Sequence, residues 1–122
     1  MKIQAGVALS ALLAALVLLA WSSGARAHTH LEKSVPANGA VLNAAPENIV
    51  LTFAEPARLT ALSLRKNSEP AQKLAPLPSA TARELTVALP RLTPGKYVVS
   101  WRVLSEDGHV MPGDLSFTIA AQ

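Results

Sequence analysis

The sequence predicts an all-β fold, a Greek-key, immunoglobulin-like sandwich of about seven strands. Three observations carry that expectation. All nine prolines lie after residue 27, and the longest proline-free interval between them runs only from Gly95 to Met111, which leaves long helices almost nowhere to sit. The runs between the prolines are short and several alternate apolar with polar residues, the period of a half-buried strand. Proline, glycine and asparagine cluster between those runs, where turns need a fixed or a positive φ.

Taken in order, Pro36-Ala37-Asn38-Gly39 and Ala45-Pro46-Glu47-Asn48 read as turns, and Ile49 to Phe53 as a strand. Ala61 to Arg65 reads as the next strand, with Pro56 between the two. Lys66 to Thr81 holds three prolines and little periodicity, so it is expected to be an irregular edge or loop. Leu85 to Leu89 follows as a strand, then a Leu92-Thr93-Pro94-Gly95 turn, then the longest strand from Tyr97 to Leu104. Pro112-Gly113-Asp114 is expected to turn the chain into a last strand, Leu115 to Ile119. Leu62, Leu64, Leu85, Val87, Leu89, Leu115, Phe117 and Ile119 each fall on one side of a pleat and form the predicted core, with Trp101 packed between the layers.

The first 27 residues are unlike the rest. Lys2 precedes an almost unbroken apolar run from Ala5 to Trp21, and small and polar residues close with Ala25-Arg26-Ala27. That order is a secretory signal peptide, and its strictly apolar stretch from Ala11 to Trp21 falls short of the roughly 20 residues a membrane span needs. With no cysteine there is neither a lipid-attachment site nor a disulfide. The expected organisation is a signal peptide over 1–27 and one domain over 28–122, exported to the periplasm as a monomer. Lys2 and Arg26 belong to the leader, so the formal charge of +3 overstates how basic the mature chain is. A nearly neutral body without a lysine or arginine cluster lacks the footprint of a nucleic-acid binder.

Cleavage after Ala27 makes His28 the first residue and sets a new α-amine beside its imidazole. The amine and Nδ1 can close a six-membered chelate ring on one ion, a donor pair that suits Cu(II). A second cluster, Ser105-Glu106-Asp107-Gly108-His109, follows the apolar strand that ends at Leu104. Asp107 and His109 are two residues apart and share a face in extended chain, while Gly108 lets the backbone bend between them. Alone, Asp-Gly-His reads as easily as a turn; joined to an amino-terminal histidine in a cysteine-free exported chain, it points to metal.

These segments together resemble the CopC family of periplasmic copper-binding proteins. The resemblance runs over the whole mature chain: the amino-terminal histidine, the turn Ser34-Val35-Pro36-Ala37-Asn38-Gly39, the stretch Leu51-Thr52-Phe53-Ala54-Glu55-Pro56-Ala57, and Ser105-Glu106-Asp107-Gly108-His109 leading into Gly113-Asp114-Leu115-Ser116-Phe117-Thr118-Ile119. It implies a seven-stranded Greek-key sandwich that holds Cu(II) through His28, Asp107 and His109 and delivers it to an inner-membrane importer of the CopD type. Glu55 aligns with a family glutamate near the copper, where it would orient a ligand through its far N–H. Members with a methionine-rich Cu(I) loop differ, because the mature chain here has only Met111, which reads as a packing or loop residue.

His30 shares a face with His28 in an extended first strand and could approach the metal or point at solvent. It also completes an amino-terminal tripeptide, His28-Thr29-His30, able to wrap Cu(II) with the amine, two deprotonated amides and an imidazole. Deprotonating amides at neutral pH costs more than filling a preformed pocket, which favours the Asp107 and His109 site. Two other classes were weighed. A histidine-brace copper mono-oxygenase would bind copper similarly, but an anionic oxygen ligand disfavours reduction and takes a position an oxidant needs, so the expectation is not an enzyme. A metal-free immunoglobulin-like interaction domain would make the histidines incidental.

Overall fold

The structure, a computed structural model, describes residues 30–121, so the expected signal peptide and His28 lie outside the described residues. Within them the chain forms strands and turns with no helix: β1 (Leu31–Val35), β2 (Ala40–Leu42), β3 (Asn48–Lys66), β4 (Gln72–Lys73), β5 (Ala82–Ala88), β6 (Gly95–Ser105) and β7 (Val110–Ile119). They join in one hydrogen-bonded sheet of order β1-β3-β6-β7-β2, with β4 and β5 also paired to β3. The sheet closes over itself as a β-sandwich because β3 belongs to both layers. Its first part, Asn48 to Phe53, runs between β1 and β5. Its later part, Ala57 to Lys66, runs beside β6 and, near Leu64, beside β4.

This 19-residue strand corrects the expectation of two strands broken at Pro56. The β5 register is irregular between Thr52 and Ala57, so Pro56 sits where the strand leaves one layer for the other. A missing N–H there interrupts no regular ladder. Pro112-Gly113-Asp114 likewise lies inside β7 instead of in a turn. β7 pairs with β6 along its whole length and with β2 only from Phe117 to Ile119, so Pro112 sits on an edge where a proline is tolerated. Lys66 to Thr81 is mostly irregular, as expected, but Gln72–Lys73 adds the short β4.

Pleating explains the core. On β6, Tyr97, Val99, Trp101, Val103 and Ser105 all point inward, and Leu115, Phe117 and Ile119 do so on β7. On β3 the inward residues are Ile49, Leu51, Phe53, Ala57 and Leu59, then Leu62 and Leu64. The phase changes from odd to even because the register shifts between Leu59 and Ala61, where Thr60 is the extra residue. The predicted core residues are buried, except that Leu89 is only partly covered. Phe53 and Trp101 meet edge to face across the layers, with centroids 6.4 Å apart, and Tyr97 stacks on Phe117 at 5.4 Å. The Tyr97 hydroxyl donates to the Thr93 carbonyl at 2.6 Å and accepts from the Thr93 N–H at 3.1 Å, which ties the turn before β6 to its first inward ring.

Trp101 lies flat across the backbone of its β7 neighbour Gly113, and a Cβ there would come within 2.5 Å of the indole ring. Gly113→Ala must therefore push the ring out of the inter-layer space, an overpacking that costs about 1–3 kcal/mol. The expected outcome is a melting temperature lower by roughly 5–20 °C, with altered Trp101 fluorescence, in a thermal melt. An unchanged melt would mean that the ring has room to move.

Candidate metal centre

β6 carries the core row inward until Ser105, the buried polar residue at its end, and there the chain turns back into β7. The turn is closed by its own backbone: the Ser105 N–H donates to the His109 carbonyl at 2.9 Å and the Gly108 N–H to the Ser105 carbonyl at 3.0 Å. Gly108 takes φ +89°, a left-handed conformation that glycine adopts without strain. This geometry brings Asp107 and His109 together. His109 Nδ1 lies 2.9 Å from Asp107 Oδ2, and the His109 backbone N–H reaches Asp107 Oδ1 at 3.3 Å.

The Ser105 hydroxyl also bonds to Asp107 Oδ1 and lies 3.0 Å from the His109 carbonyl oxygen. Sequence reasoning quoted Ser105 within the motif but gave it no role. Its signal was positional, since it extends the inward alternation of β6 by two residues, one further inward position, beyond Val103. The hydroxyl, and after it the His109 side chain, hold the Asp107 carboxyl well below the usual carboxylate range. Asp107 is therefore a carboxylate throughout mildly acidic conditions, and the His109 side chain remains mostly solvent-facing at 62 % exposure.

The beginning of β1 meets the same region of β3. The Ala54 N–H donates to the His30 carbonyl at 2.8 Å, and Leu31 pairs with Phe53. Further along the same edge of β3, Ala57 pairs with Ser105 at the base of the turn. Residues 54–57 thus separate the amino-terminal strand from the Asp107–His109 turn, and Glu55 lies between them, exposed on β3. His30 is exposed. Arg83 on β5, which sequence reasoning passed over, spans the same seam: its Nε–H donates to the Phe53 carbonyl at 3.2 Å and its guanidinium pairs with Glu32 at 3.2 Å. Only a fold that sets β1, β3 and β5 side by side could reveal it.

Among the described residues no three His, Cys, Asp or Glu side chains group as a metal-holding set, so Asp107 and His109 form a pair that needs a further donor. An ionised carboxylate and an imidazole supply an oxygen and a nitrogen suited to a borderline divalent ion. Met111 is partly buried against the core, away from a ligand role. A groove of about 700 Å³, lined by Leu62, Leu74, Leu77 and Trp101 among others, includes neither Asp107 nor His109.

Comparison with known proteins agrees with this architecture. The family model described as the CopC domain matches residues 31–120. Protein YobA of Escherichia coli strain K12 is 36% identical over 99 residues, covering 76% of this chain and 79% of that protein. Copper resistance protein C of Xanthomonas campestris pv. juglandis is 32% identical over 108 residues, covering 80% of this chain and 84% of that protein. Among solved structures, CopC from Methylosinus trichosporium OB3b superposes with a TM-score of 0.68 at 30% identity, over 76% of this chain and 94% of the other. PcoC, a methionine-rich copper resistance protein from Escherichia coli, gives 0.59 at 32% identity, over 76% and 99%. With a matching family model over most of its length and these relatives, the chain belongs to the CopC domain family.

Proposed function

We propose that this protein is a periplasmic Cu(II) carrier, exported by cleavage after Ala27, that binds copper through the His28 amine and imidazole together with Asp107 and His109. The observation that carries the reading is the seam of β3: the strand that follows His28 and the strand that ends in the Asp107–His109 turn lie in succession along the edge of β3 opposite β5, the one meeting it at Phe53 and Ala54 and the other at Ala57. Relatives named copper resistance protein C support copper as the cargo.

His109 Nδ1 lies against Asp107 Oδ2, which fixes the orientation of the ring. Asp107 Oδ1 accepts from both the Ser105 hydroxyl and the His109 N–H, whereas Oδ2 meets only His109 Nδ1 and keeps a further lone pair. Glu55, on the same seam, would orient a ligand from outside the coordination sphere. The protein holds and passes on copper without catalysis, as a monomer, and the recipient is an inner-membrane importer of the CopD type.

Three outcomes test this reading. Titration with Cu(II) against a competing chelator is expected to show His109→Ala weakening binding by more than about a hundredfold, beyond what losing an outer partner brings, and His30→Ala by less than about tenfold. The reverse ranking would move the site to the tripeptide. In a melt with free copper at a hundred times Kd, binding to the folded state adds about 2.7 kcal/mol. That raises the midpoint by on the order of 10–20 °C. One extra residue before His28 is expected to abolish most of the rise, and an unchanged rise would remove the amine from the site.

The third concerns acid. A carboxylate whose folded pKa is depressed keeps its charge as pH falls until that low value is reached, so Asp107 takes up no proton between pH 7 and 5. Copper affinity still falls over that range, because an α-amine and imidazoles must shed protons to bind. Asp107→Asn is expected to lower affinity while leaving the slope of log affinity against pH unchanged. A shallower slope in the variant would show that Asp107 itself is titrating.

A further inference from the structure

We propose that Arg83 is a positioning residue. By riveting the first strand to β3 it keeps copper between the amino terminus and the Asp107–His109 turn and out of the His28-Thr29-His30 tripeptide. The inference rests on the copper reading above. The chain offers copper two competing ligand sets that share one amine, and what separates them is whether the residues just after His28 stay docked. A tripeptide wrap needs the amide nitrogens of Thr29 and His30 as ligands and the His30 imidazole swung to the same ion. A docked strand leaves His30 with its carbonyl bonded to the Ala54 N–H at 2.8 Å.

That single hydrogen bond stands at the frayed end of β1. The β1–β3 register is already irregular between Leu31 and Lys33, so regular pairing resumes only at Lys33 opposite Thr52. Leu31 is only partly buried, which leaves little apolar burial to hold the segment. Arg83 supplies what the ladder lacks. Its Nε–H donates to the Phe53 carbonyl and its guanidinium holds Glu32 Oε2, both at 3.2 Å, so one planar group ties β5 to β3 and to β1 within two residues of His30. The planar fork suits this bridge, because its donors are set apart and aimed in fixed directions, where a lysine would offer one compact ammonium.

The ion pair is about half exposed, which limits its worth as stability but not as geometry. Its effect is local: releasing the His30 carbonyl from Ala54 lets the chain bend as a wrap requires while the core rows of β6 and β7 stay closed. Arg83 therefore shifts a balance between two bound forms and leaves global folding nearly untouched.

The test uses the mature protein carrying Arg83→Gln or Glu32→Gln. In the metal-free protein, hydrogen exchange at the Ala54 amide is expected to quicken about fivefold in either variant, with Val99 protection unchanged. Loaded with one equivalent of Cu(II), Arg83→Gln is expected to show a second paramagnetic resonance signal with more nitrogen donors and a higher-energy visible band. Adding His30→Ala to that variant removes the second signal. Unchanged Ala54 exchange would overturn the rivet, and faster exchange with a wild-type copper spectrum would overturn its control of the copper site. Failure of the copper reading itself is seen separately, as a wild-type spectrum that His109→Ala leaves untouched.

Discussion

The architecture depends on one strand belonging to two layers. β3 pairs with β1 and β5 along its first part and with β4 and β6 along its second, so its passage between layers has to be made by residues that give up regular pairing. That passage, 53–56, cannot be an ordinary ladder, and it ends one layer's edge beside the other's. Whatever the chain places at the start of β1 and at the end of β6 must therefore come close to the same few residues. The candidate site follows from that crossing as much as from its own side chains. Ala57, fully buried and flanked by Ala82 and Ser105, is where the second layer begins, and a small residue lets both neighbouring strands approach.

Much of the fold could be read from the pleat. Strands with strict alternation, such as β5, β6 and the end of β7, announced both their span and their inward face. Errors came where proline was read as punctuation. Pro56 and Pro112 break a ladder only if the ladder needs their N–H; at a layer crossing and on an edge it does not. The phase change at Thr60 was invisible for a related reason, since a bulge is a property of two paired strands and leaves no mark in one of them. The short β4 has only two residues and owes its strand character to Ser63 and Leu64 beside it.

The site was legible in part. Asp107 and His109 announced themselves by spacing, and the structure brings the two side chains into contact. His28 could be inferred from the leader, and it lies outside the described residues. Ser105 and Arg83 were not legible as functional residues, because a serine at a strand end and an arginine on a strand are ordinary until their partners are known. Both act through pairings distant from any motif: Ser105 by filling the last inward position of β6, and Arg83 by bridging strands that lie 51 residues apart in sequence at Glu32.

What the pair of Asp107 and His109 can do follows from how it is held before any ligand arrives. The carboxylate is kept ionised by the Ser105 hydroxyl and by His109, so its charge does not depend on the metal to draw it out. A fixed anion beside an imidazole favours a doubly charged ion over a singly charged one, since each added positive charge gains attraction to a carboxylate that cannot protonate away. With copper bound as proposed, the arrangement would favour the oxidised ion and disfavour chemistry that requires it to cycle, because reduction would forfeit that attraction at every turnover. A thioether-rich site would tilt the balance the other way, and Met111, turned partly into the core, does not supply one. Held ionisation and the lack of a methionine-rich stretch act in one direction, the one that the proposed copper reading requires.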